Sequence, residues 1–111
     1  MYANVAGLAF GSDKHPHRLL RSRKAIQETI DGVRALEDRG LVFQAAHLMK
    51  ALVSLHAFAG GNHRAAFLVA AVFLRKNGMH LKVERFDEAY AFISRIETKS
   101  IEQIQEWIQN G

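Results

Sequence analysis

Nine consecutive residues, His56 to Arg64, reading HAFAGGNHR, hold the residue types that phosphate chemistry requires, at a spacing that can bring them together. His56 is a candidate general base, able as a neutral imidazole to take a proton from an attacking hydroxyl. Gly60 and Gly61 let the backbone come close to a ligand, Asn62 can cap the helix that follows, and the first amides of such a helix have no intrahelical partner. A turn of this kind binds anions. Arg64 and His63 fall in the first helical turn, where a cation costs about 0.3 to 1 kcal/mol against the helix dipole; a bound phosphate reverses that penalty. With a planar arginine fork suited to phosphate oxygens, the set describes phosphoryl or nucleotidyl transfer.

Each residue also has a plain structural reading. A histidine at the end of an apolar stripe is often a buried structural side chain, Gly-Gly-Asn can be a simple helix break, and Arg64 can point into water. His63 reads either as extra charge for a phosphate or, somewhat better, as an exposed first-turn residue without a role. Convergence within nine residues is what favours a site. The surrounding charge agrees: from Asp38 to Glu84 no Asp or Glu intervenes, while Lys, Arg and four His do.

Helices must position this loop. With one proline and little alternation of apolar and polar residues, helical periodicity dominates, and the expectation is an all-α fold of about five helices. Leu19, Leu20, Ile26, Ile30, Val33 and Leu36 predict a helix from about Pro16 to Glu37, with Gly32 as a candidate interruption. Ala45, Leu48, Met49, Leu52, Leu55 and His56 share one stripe of a second helix, from about Val42 to Phe58, which would bury His56. Asn62 to Asn77-Gly78 frames a third, almost wholly apolar helix. Met79 to Val83 reads as an extended connection, Asp87 to Ile96 as a fourth helix, and Ser100 as the N-cap of a fifth carrying Ile101, Ile104, Trp107 and Ile108.

The composition bounds the rest. At 111 residues, 49% hydrophobic and 23% charged, residues 1–111 are expected to form a single globular domain. No apolar run approaches the ~20 residues of a membrane span and the opening lacks the basic start of a signal peptide, so a cytoplasmic location without membrane contact is expected. The absence of cysteine excludes disulfides and thiol nucleophiles. A net charge of +4 leans towards anionic partners. Lys14 to Lys24 holds five Lys or Arg with His15 and His17, read as a solvated face before a nucleic-acid or metal site. Nucleic acid is not an expected partner. The C-terminal Phe, Ile and Trp107 residues read as core, with a homodimer surface as their remaining use.

The nine residues resemble the signature of the Fic/Doc (Fido) family, H-x-F-x-[D/E]-G-N-x-R. Five of its six fixed positions are present, as His56, Phe58, Gly61, Asn62 and Arg64, and Gly60 stands where the family has an acid. The following AAFLVAAVFLRKNGMHL is similar to the apolar helix and Asn-Gly stop of small Doc-like (death-on-curing) proteins. The likeness spans about Leu41 to Val83, takes in the final helices more loosely, and is poor over the first forty residues.

The resemblance implies a compact helical Fido-like domain with His56 as general base and Phe58 as the core anchor of the loop. Gly60, Gly61, Asn62, His63 and Arg64 would bind the nucleotide phosphates, Arg64 the distal one. Fic-type members transfer AMP from ATP to protein hydroxyls, and Doc toxins phosphorylate a translation elongation factor. The implied substrates are therefore ATP or another nucleoside triphosphate and a protein hydroxyl, with a translation factor among the candidates, in a toxin-type regulator. The family's inhibitory [S/T]-x-x-x-E-[G/N] motif is absent from this sequence, which implies an antitoxin acting in trans or no such regulation. In the family the acid at position 60 carries Mg2+, and here no carboxylate lies within twenty residues on either side. Two readings follow: a transferase whose Mg2+ is held by a distant side chain or by substrate phosphates, or a degenerate Fido domain acting as a nucleotide- or protein-binding module.

Overall fold

Ile26, Ile30 and Val33 recur at helical spacing and form the buried face of α1 (Arg23–Arg34), whose first turn is capped by the Ser22 hydroxyl accepting from the Ala25 N–H at 3.1 Å. The chain is described here from a computed structural model, over residue 19, residues 21–83 and residues 85–110. Pro16, His15, His17 and most of the basic stretch from Lys14 lie outside those residues. The helix is shorter than its sequence pattern predicts at both ends, because Ser22 caps its start and the chain leaves it at Ala35, before Glu37. Gly32 does not interrupt it; it is exposed, with nothing near its α-carbon to crowd. A 3-10 turn, Glu37–Arg39, and Gly40 at φ 96° lead into the next helix.

Helix α2 (Leu41–Leu55) is the centre of the fold. It buries Ala45, Ala46, Leu48, Met49, Leu52 and Val53 and packs against α1, α3 (Asn62–Lys76) and α5 (Ile101–Asn110). Gln44, also buried, donates its amide N–H to the Val33 carbonyl at 3.3 Å and so ties α2 to the end of α1. Helix α3 buries Ala65, Ala66, Phe67, Val69, Ala70 and Leu74. It stops as the Asn77-Gly78 pair predicts. Gly78 is left-handed at φ 82°, its N–H donates to the Arg75 carbonyl, and the Met79 N–H reaches back to Leu74 at 2.8 Å.

The fourth helix, α4 (Phe86–Ile93), ends before Ile96, and Ile96–Thr98 forms a separate 3-10 turn. The expected single helix to Ile96 is corrected: Ile93 and Ile96 are both fully buried at helical spacing, and burial alone does not reveal the break between them. Ser100 opens α5 with a capping box, its hydroxyl accepting from the Gln103 N–H at 3.1 Å while the Gln103 side-chain oxygen accepts from the Ser100 N–H at 2.8 Å. Phe92 and Trp107 stack in parallel between α4 and α5, ring centres 4.6 Å apart. Five helices and no strand are found among the described residues, in agreement with the all-α expectation, and none of these helices is long and apolar enough to cross a membrane.

Candidate functional site

The loop between α2 and α3 begins one turn earlier than its apolar pattern predicts. Helix α2 ends at Leu55, and His56 is its C-cap, in the left-handed conformation at φ 52° and ψ 53°. Among the described residues it is the only non-glycine with positive φ. That turn swings the chain off the buried stripe, so His56 is exposed and the expected burial of its imidazole is corrected. Ala57 and Phe58 are buried, but from the loop and not as a continuation of the helix.

Asn62 holds the loop shut. It is 8% exposed, its side-chain oxygen accepts from the Phe58 N–H and its amide donates to the Phe58 carbonyl, both at 3.0 Å. The expectation that Asn62 caps α3 is therefore corrected: Gly61, left-handed at φ 73°, occupies the cap, and Asn62 is the first helical residue facing backwards. The consequence is electrostatic. No side chain caps the N-terminus of α3, so its first-turn amides remain available to an anion. The left-handed glycine of the turn is Gly61; Gly60 is not among the positive-φ residues.

Arg64 is exposed, its guanidinium lying 4.6 Å from the centre of the Phe86 ring, which in turn packs against buried Phe67. His63 is neither idle nor simply a spare cation: its Nε2 lies 3.3 Å from the Glu97 carboxylate, carried in by the 3-10 turn before α5. A carboxylate thus reaches the loop from 34 residues away. Burial raises the Glu97 carboxyl, but its own backbone amide, the hydrogen bond from His63 and the charges of His63 and His56 outweigh that and hold it below the usual glutamate value. Upstream, Leu19 forms an isolated antiparallel bridge with Phe58, and Arg21 bonds to the carbonyls of Leu55 and Ala57.

The fold thus gathers His56, Phe58, Gly60, Gly61, Asn62, His63 and Arg64 around one turn and adds Glu97, Phe86 and Arg21. Nothing local in the sequence marks those three. They are ordinary residues on other elements, and only the packing of α1, α4 and the second 3-10 turn brings them in. The donor set does not fit a resident Mg2+. Gly60 has no side chain, Glu97 is engaged by His63, and among the described residues no three His, Asp or Glu side chains converge on a point.

The Fic/DOC family model matches residues 10–74. It extends upstream over a stretch where the sequence resemblance is poor, and stops at the end of α3. No curated protein and no solved structure matches the chain.

Proposed function

The chain belongs to the Fic/DOC family, and on that premise we propose that its α2–α3 loop binds the phosphates of a nucleoside triphosphate and passes AMP or phosphate to a protein hydroxyl. The observation that carries this reading is the Asn62 clasp. By closing the loop on Phe58 it spends no helix amide on capping, and it leaves the α3 N-terminus open beside Arg64. His56, exposed at the mouth of the same loop, takes the proton of the incoming hydroxyl as its oxygen attacks phosphorus. Attack at the α-phosphorus expels pyrophosphate and leaves AMP on the target; attack at the γ-phosphorus expels ADP. The chemistry is assigned to His56, the loop amides and Arg64, with no step through a metal. A toxin-type role, a translation-factor target, an antitoxin in trans, a homodimer and a cytoplasmic setting belong to the same proposal.

A second reading has its own support. Gly60 offers no metal ligand, Glu97 occupies His63, and Arg64 rests on Phe86. These features favour a degenerate Fido domain that keeps the cradle and binds a nucleotide or protein without transfer. Transfer from ATP labelled at the α- or γ-phosphate into lysate proteins separates the two. Under the first reading wild type labels a target and His56→Ala loses roughly 10²- to 10⁴-fold of the rate. Labelling by Gly60→Asp alone, with wild type silent, would establish the second.

A further inference from the structure

We propose that Arg21 is the positioning residue for His56, holding the backbone on both sides of it so that the imidazole faces the loop mouth; this rests on reading His56 as the proton acceptor. The Arg21 Nε donates to the carbonyl of Leu55 at 3.1 Å, and its backbone N–H donates to the carbonyl of Ala57 at 3.3 Å. One residue thus grips the peptide that enters His56 and the Ala57–Phe58 peptide one residue beyond it. The antiparallel bridge from Leu19 to Phe58 continues the same strut by one more residue.

His56 needs such a grip. A side chain in the left-handed region crowds its own backbone, and although histidine tolerates it better than most residues at a helix end, contacts that hold the flanking chain favour it. Among the described residues no side chain hydrogen-bonds the His56 imidazole, so a hold on the flanking backbone bears directly on where the ring points. The only hydrogen bond made by its own N–H is to Val53 at 3.2 Å, within the last turn of α2. The cradle of Gly61, Asn62 and Arg64 is closed separately by Asn62, so Arg21 acts on the base and not on phosphate binding.

The plain alternative is that Arg21 is a cation capping the C-terminal end of α2, favourable to the helix dipole and nothing more. Arg21 is exposed, so its replacement leaves the buried core intact. The experiment compares wild type, Arg21→Ala and Arg21→Lys by backbone NMR of His56, by binding of a fluorescent ATP analogue, and by label transfer. In Arg21→Ala the His56 backbone shifts and amide coupling should leave their left-handed values. The analogue's Kd should stay within about twofold, while kcat falls roughly 10- to 100-fold, as misplacement of a catalytic group predicts. Arg21→Lys, which keeps the charge but not the fixed Nε donor, should resemble Arg21→Ala. A His56 backbone that stays left-handed in Arg21→Ala, or full kcat in Arg21→Lys, overturns the proposal in favour of a simple cap. If wild type transfers no label, the transferase reading falls, and the NMR comparison still decides whether Arg21 holds His56.

Discussion

Replacing Asn62 with alanine would remove two hydrogen bonds, both at 3.0 Å, from the backbone of Phe58, a residue only 9% exposed. Each such bond contributes about 0.5–1.5 kcal/mol net, so Asn62→Ala should lower unfolding free energy by roughly 1–3 kcal/mol in a urea titration. Asn62→Asp keeps an acceptor for the N–H but loses the donor, and should fall between the two. Glu97 predicts a pH effect. Its carboxyl lies below the usual glutamate value when folded, so the stability it contributes is present above that value and lost as pH falls through the folded one. With the two side chains 33% and 43% exposed the pair is worth less than about 1 kcal/mol. Melting temperatures from pH 7 to pH 3 should therefore decline slightly less steeply in Glu97→Gln than in wild type. The loop residues themselves were legible because their types and spacing are contiguous. Glu97, Arg21 and Phe86 were not, because contact across tens of residues leaves no local trace.

The helices were legible to the extent that their ends carry chemistry. Ser100 and Asn77-Gly78 announce a cap and a stop, and both function as such. Ser100→Ala should cost about 1 kcal/mol through loss of its hydroxyl acceptor, measurable as a lowered midpoint in thermal unfolding with the site undisturbed. The end of α2 was hidden, because the apolar sequence runs on through Ala57 and Phe58 and a buried loop residue has the same hydrophobicity as a buried helical one. The gap between α4 and the Ile96–Thr98 turn was hidden in the same way. Asn62 misled for a related reason. An asparagine at the start of a helix is favoured as a cap, and here the tertiary demand of the Phe58 backbone took its side chain instead.

Across the whole molecule, α2 contacts α1, α3 and α5 and ends at His56, so the loop rests on the most interior element of the fold. Ile104 of α5 is fully buried in the common core. Ile104→Ala should cost about 2–5 kcal/mol, read as a drop in the denaturant midpoint, and a smaller loss would mean that α5 closes over the cavity. Phe58 and Asn62 close the turn into a ring in which the Ala59 side chain takes no part, and Gly60, which has no side chain, does not adopt the left-handed backbone. Closure of the turn therefore does not call for the left-handed backbone of a glycine at position 60. Under the proposed function, an acid at position 60 would change the chemistry offered at the loop without touching either hydrogen bond that holds it closed.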